Sequence, residues 1–169
     1  MRITISMLLA GALGLSAPAL ATWTDPVPVT EINTTYHDKA PFLSFDGRTL
    51  YFSRQDGPGW HYTRIYEATR PGPTGAFTSV KEISALNYCC GHVDYPWVSP
   101  DNLRMYYYRT ESSGSLLKVA ERTSVDQPWQ PGDNINELNI LGHIIANPTL
   151  TPDELTMFFS GYNLAGGLG

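Results

Sequence analysis

The sequence predicts an all-β fold made of repeated four-stranded antiparallel units, and three observations predict it. The 15 Gly and 13 Pro punctuate the chain at short intervals, which favours strands joined by tight turns over long helices. The 10 Tyr, 6 Phe and 4 Trp include dense runs such as Leu50-Tyr51-Phe52 and Tyr106-Tyr107-Tyr108, as buried strand centres require. Most informative is self-similarity. The segment 40–53, Ala40-Pro41-Phe42-Leu43-Ser44-Phe45-Asp46-Gly47 onward, aligns without a gap on 95–108 and again on 147–160, at offsets of 55 and 52 residues.

A second element recurs between these copies with nearly the same period. Trp23, Val29 and Ile32-Asn33 match Phe77, Ile83 and Leu86-Asn87, which match Trp129, Ile135 and Leu138-Asn139. Two elements that keep one order and one spacing define a repeat, and the period is that of a supersecondary unit which buries its faces against its neighbours.

Each unit reads into strands by its punctuation. The segment opened by Pro41, Pro96 or Pro148 is a first strand, with the proline at its start, where the missing donor costs nothing. Asp46, Asp101 and Asp153 sit just after Ser44, Ser99 and Thr151 and predict a hairpin turn in which the carboxylate accepts local backbone N–H bonds. Leu50-Tyr51-Phe52, Met105-Tyr106-Tyr107 and Met157-Phe158-Phe159 pair back across that turn as second strands. A third strand follows over 63–69 and 116–122, and a fourth over 80–83 and 134–138. Four antiparallel strands per unit, apolar on both faces, describe the blade of a β-propeller. The chain holds about 2.5 to 3 such blades over residues 22–169, fewer than the four to eight that close a disc, so the expected fold class is an incomplete propeller. The reading expects a fragment or truncated frame of a longer propeller, with a self-completing oligomer that associates through open blade edges as the alternative.

The chain carries 11 basic against 16 acidic residues, one fewer basic if Arg2 is removed with a leader, and no Lys/Arg run, so nucleic acid is not an expected partner. Residues 1–21 read as an export signal: Arg2, an apolar run from Ile3 to Leu15, then Ala17-Pro18-Ala19-Leu20-Ala21 with small residues where a signal peptidase cuts. The run is too short for a membrane span, and no second candidate follows. A periplasmic or secreted protein is the expected product. With 42% hydrophobic and 16% charged residues, the chain can bury a core and is not a disordered segment.

The quoted repeats resemble the WD40-like β-propeller repeats of TolB type, whose motif runs Pro-x-aliphatic-Ser-Pro-Asp-Gly-x-x-aliphatic-aromatic-Phe. Ser44, Asp46, Gly47, Leu50, Tyr51 and Phe52 match it best; Asn102 and Glu154 depart from its Gly. The resemblance implies a fold and a bacterial envelope setting far more than an activity. The sialidase Asp box is a poorer match, because Asp46 and Gly47 lack its spacer residue.

Candidate chemistry gathers before the first strands. His37, His92 and His143 lie four or five residues ahead of Pro41, Pro96 and Pro148, and rotational symmetry would bring these loops to one face, with Asp38 and Asp94 beside them. That set suits a ligand site or a divalent cation. A turn-stabilising role for each imidazole is the alternative. In an oxidising compartment Cys89-Cys90 is expected to close as a strained vicinal disulfide, with two thiols or intermolecular bridges as alternatives. No nucleophile elbow, P-loop, His-Glu-x-x-His or dinucleotide fingerprint is present. The expected function is a non-catalytic binding or scaffold module that recognises a protein, cell-wall component or glycan. The alternative is a metal-dependent enzyme resembling oligogalacturonate lyases, with His37, His92 and His143 as ligands and Lys39 as a nearby base.

Overall fold

The computed structural model describes residues 4–5, 24–58, 62–87, 90–112, 114–139 and 144–162. Among them there is no helix, and none long and apolar enough to cross a membrane. The strands are β1 (Thr4–Ile5), β2 (Val27–Pro28), β3 (Asp38–Leu43), β4 (Thr49–Gln55), β5 (Thr63–Thr69), β6 (Ser79–Glu82), β7 (Val93–Val98), β8 (Arg104–Glu111), β9 (Gly114–Glu121), β10 (Asp133–Asn134), β11 (Ile144–Leu150) and β12 (Met157–Tyr162). They form two four-stranded antiparallel meanders, β3-β4-β5-β6 and β7-β8-β9-β10, a hairpin β11-β12 and the short pair β1-β2. Among the described residues no sheet closes on itself. Of the expected leader 1–21, only Thr4–Ile5 lies among the described residues, paired with Val27–Pro28.

The sheets stack face to face. The first presents Tyr51 and Ile65 to Val93, Val98, Met105, Tyr107 and Ala120 of the second, with Ile83, Leu86 and Trp129 closing the same core. Its other face, Leu50, Phe52 and Ala68, is covered by Ile32, Phe77 and Val29. β11 in turn packs on β7, β8 and β9. A strand buried on both faces has no polar side to spare, which explains runs such as Leu50-Tyr51-Phe52, where all three residues are buried.

Two backbone devices repeat in every unit. The first is a bulge. Lys39 pairs with Ser53 and Phe42 with Tyr51, leaving Ala40 and Pro41 opposite the single residue Phe52; the same slip occurs after Asp94 and after Ala146. Ala40, Tyr95 and Asn147 carry it at φ of 49°, 56° and 54°. The prolines therefore lie inside the first strands, not at their starts as the sequence suggests. A bulge removes one residue from the ladder, so a residue without an N–H is tolerated there.

The second is the hairpin turn. Ser44, Ser99 and Thr151 donate their hydroxyls to Asp46, Asp101 and Asp153 at 2.6, 2.5 and 2.5 Å. Those carboxylates accept the backbone N–H of Arg48, Leu103 and Leu155 at 3.0, 3.0 and 3.1 Å, as expected from the sequence. The next residue is left-handed in each copy, Gly47 at 70°, Asn102 at 63° and Glu154 at 59°. The departures from Gly leave the turn geometry intact, at about 1–2 kcal/mol of left-handed strain for each L-residue. They also add a contact that Gly lacks. Tyr51 of the first sheet donates to Asn102 Oδ1 at 2.8 Å, and Tyr106 of the second to Glu154 Oε2 at 3.1 Å, so each substituted turn is held by the phenol of the preceding sheet.

Hydrogen bonds from Ser44, Ser99 and Thr151 hold the three turn carboxyls below their ordinary value of 3.8. A depressed folded-state value contributes stability above the unfolded value and loses it as pH falls through the folded one. The urea midpoint is therefore expected to drop between about pH 5 and pH 3, and to drop less in Asp46→Asn with Asp101→Asn. Equal slopes in variant and wild type would rule out the turns as the source.

Of the fourth strands, β6 keeps the expected length one residue early, and β10 is shorter than expected. β10 stops at Asn134 and residues 136–138 turn, because the Leu138 and Asn139 N–H groups bond back to the Ile135 carbonyl, each at 3.1 Å. Here the recurrent Asn finds its role. Asn139 accepts the Leu117 N–H and donates to the Leu117 carbonyl, both at 2.8 Å, and Asn87 does the same to Ile65 at 3.1 and 3.0 Å. A side-chain amide stands in for a peptide group and completes the ladder where the strand ends.

Candidate functional site

The loops that enter the first strands meet at one end of the sheets. The Gln55 N–H donates to the His37 carbonyl at 3.0 Å and the Thr110 N–H to the His92 carbonyl at 2.9 Å, which puts both histidines one step before their strands at the same register. Thr63, directly opposite Gln55 in the sheet, touches His92, so the two loops are joined through one rung. The third copy differs. Ile144 pairs with Tyr162 at the matching position, and the histidine is displaced by one residue to His143, which lies outside the described residues. The one-residue longer spacing to Pro148 carries that signal in the sequence.

His92 is fixed through both its ring and its backbone. Its ring Nδ1 accepts the Thr63 N–H at 3.3 Å and lies 3.2 Å from Thr63 Oγ1. Its own N–H donates to Thr110 Oγ1 at 2.6 Å, and Tyr62 meets the ring edge-on at 5.5 Å. A backbone N–H can only donate, so Nδ1 is the acceptor and the neutral ring carries its proton on Nε2. An imidazole that binds a cation through Nε2 holds its proton on Nδ1, where the Thr63 hydrogen already points. The geometry gives the His92 ring a contact between sheets, accepting a backbone N–H of the first sheet at Thr63 and directing no Nδ1 proton to a carbonyl of its own turn.

The acidic partners separate as well. Asp94 is buried and forms an ion pair with Lys39 while accepting Thr63 Oγ1–H at 3.2 Å and the Tyr95 N–H at 3.0 Å. Lys39 also lies 5.3 Å from the Tyr95 ring, so the candidate base is a cation committed between two sheets. Asp38 is 1% exposed and is held by other groups: Arg54 Nε at 2.6 Å, the Thr34 N–H at 2.9 Å and Thr34 Oγ1 at 3.2 Å. Arg54 spreads over Phe52 and Tyr66 at 5.0 and 4.9 Å. Among the described residues no three His, Cys, Asp or Glu side chains are grouped to hold a metal ion.

What this end of the molecule offers to a ligand is aromatic and polar. Tyr36 and Tyr62 are 42% and 44% exposed, and His37 lines a shallow cavity of about 330 Å³ with Thr35, Tyr36, Gln55, Gly57 and Pro58. The cysteine loop borders the same end. Cys90 is exposed, Arg64 donates to the Gly91 carbonyl at 2.8 Å, and Cys89 lies outside the described residues, as does any vicinal disulfide.

A further pair of residues escaped the sequence reading. Arg70 and Arg122 each donate Nε to the carbonyl of the left-handed turn residue, Gly47 or Asn102, at 2.8 Å. Each covers the aromatic seven residues on, Phe77 at 4.6 Å and Trp129 at 4.3 Å. The constant Arg-to-aromatic spacing was the available signal. Comparison with family models, curated proteins and solved structures gives no match for this chain.

Proposed function

We propose that the chain is an exported, TolB-type propeller module that binds rather than transforms its ligand, recognising a component of the cell envelope, with glycan favoured over protein. The observation that carries the reading is the division of labour at the loop end. The acids and cations there are spent on one another, Asp94 with Lys39 between the first two sheets and Asp38 with Arg54 across two strands of the first, whereas Tyr36 and Tyr62 are exposed. Phenol rings present an apolar face and a polar tip, which suits the alternating C–H and hydroxyl surface of a sugar ring. The propeller reading is supported by three units with the same bulge, the same turn and the same manner of stacking.

The test is co-sedimentation with purified cell-wall sacculi, followed by calorimetric titration with soluble wall and uronate oligosaccharides. Binding is expected for the wild type and at least about fivefold weaker binding for Tyr36→Ala with Tyr62→Ala, since each well-placed aromatic contact is worth about 0.5–1.5 kcal/mol. No binding to any glycan, or binding that ignores both substitutions, overturns the reading.

A further inference from the structure

The stack of sheets ends in two apolar patches that the internal junctions would bury. On the third sheet Phe158 is 64% exposed, although its counterpart in the first repeat, Tyr51, is 0% exposed beneath the second sheet. On the first sheet Leu43 is 38% exposed, although Val98 and Leu150, its counterparts, are 0% and 7% exposed beneath the sheet that precedes them. One patch is the donor side of a junction and the other is the acceptor side.

Their chemistry is matched. In the two junctions present, a tyrosine hydroxyl meets an acceptor at the left-handed turn position, Tyr51 with Asn102 and Tyr106 with Glu154. The free donor side carries Phe158, which has no hydroxyl, and the free acceptor side carries Gly47, which has no side-chain acceptor. A phenol buried against Gly47 would lose its hydrogen bond, and a Phe buried against Asn102 or Glu154 would remove the phenol donor that each has; Phe against Gly leaves neither defect. The outer half of this third junction already exists. Val29 and Ile32 pack on Leu50, Phe52 and Ala68, as Ile83 and Leu86 pack in the core beside Met105, Tyr107 and Ala120. Among the described residues no inner half of the kind that β11 and β12 present lies on that face.

We propose that a second copy of this chain supplies it: the β11-β12 face around Phe158 of one copy seats on the first-sheet face around Leu43 and Gly47 of the next, head to tail. A head-to-tail contact either closes a ring or grows a fibre. Two copies bring six sheets, within the range that closes a disc. The number two rests on the propeller reading; the junction itself rests only on the repeat equivalence.

The experiment is the solution mass of the purified chain by light scattering, with near-ultraviolet circular dichroism to verify folding. A mass of two copies is expected for the wild type and of one copy for Phe158→Glu and for Leu43→Lys separately. An equimolar mixture of the two variants is expected to recover the two-copy mass, because one junction then joins Glu to Lys and the other keeps Phe and Leu. A wild type of one copy, or an assembly that both substitutions leave intact, overturns the proposal. A larger assembly that both substitutions dissolve supports the junction and overturns the six-sheet ring, and with it that use of the propeller reading. Glycan binding by a one-copy variant would show that the two proposals fail or stand separately.

Discussion

Gly91→Ala is expected to lower the stability of the chain by at least about 3 kcal/mol, among the largest losses available from a single methyl group. Gly91 has φ of 103°, which L-residues rarely adopt, and a Cβ built there would lie 2.1 Å from the Thr110 carbonyl oxygen and 3.0 Å from its hydroxyl. Neither neighbour can yield cheaply. The Thr110 N–H donates to the His92 carbonyl and its hydroxyl accepts the His92 N–H, so displacing Thr110 opens the edge where β7 joins β8. Gly75→Ala separates the two causes. Gly75 has a similar φ of 100° with nothing within 4 Å of a built Cβ, so its variant is expected to lose only the backbone term, about 1–3 kcal/mol. Urea denaturation of both variants checks the difference, and equal losses would mean that the close approach of Gly91 to Thr110 is unimportant.

Asp38→Ala is expected to cost about 3–5 kcal/mol, the usual penalty for removing one partner of a buried ion pair. Arg54 would keep its bond to the Ile32 carbonyl and its place over Phe52 and Tyr66 but lose its carboxylate, and the Thr34 N–H would lose its acceptor. Replacing both partners by apolar residues, Asp38→Leu with Arg54→Met, is expected to recover most of the loss, since the pair must offset its own desolvation. The comparison also separates structure from chemistry at a carboxylate that sequence spacing places in a ligand site. If Asp38 works only through Arg54, the urea midpoint of each variant is the same with and without a chelator. A chelator-sensitive wild type beside an insensitive Asp38→Ala would return Asp38 to a metal site.

The elements that the sequence made legible are those fixed by local pattern. The turn carboxylates lie where spacing and residue type put them because hydrogen bonds within five residues decide them, and the aromatic second strands and the span Thr63–Thr69 lie where the punctuation around those turns puts them. The prolines were placed at strand starts because a lone Pro signals an end. Only the register, two residues against one at Ala40-Pro41, shows the bulge that admits it within the strand. The loop end was least legible. Proximity in sequence suggested that His37 and Asp38 act together, yet successive residues of a strand point to opposite faces, and Asp38 turns to Arg54 while Lys39 reaches Asp94. No local pattern can reveal that the partner of a strand residue lies a whole repeat away.

The phenol contacts at the turns also bear on how such a chain could be edited. Because Tyr51 requires Asn102 and Tyr106 requires Glu154, with Arg104 donating to the same carboxylate at 2.8 Å, each unit is addressed to the one that follows it. Near-identical modules would otherwise be interchangeable, and a transposed chain would fold as readily as the natural one. A permuted sequence that set the second unit ahead of the first would bury the Tyr106 hydroxyl against Gly47, and it would set the Glu154 carboxylate against Tyr51 without Arg104, whose place in the first unit is taken by Thr49. Serial order in this chain is thus encoded in single atoms at the junctions, and shuffling its modules would mean rewriting those atoms along with the linkers.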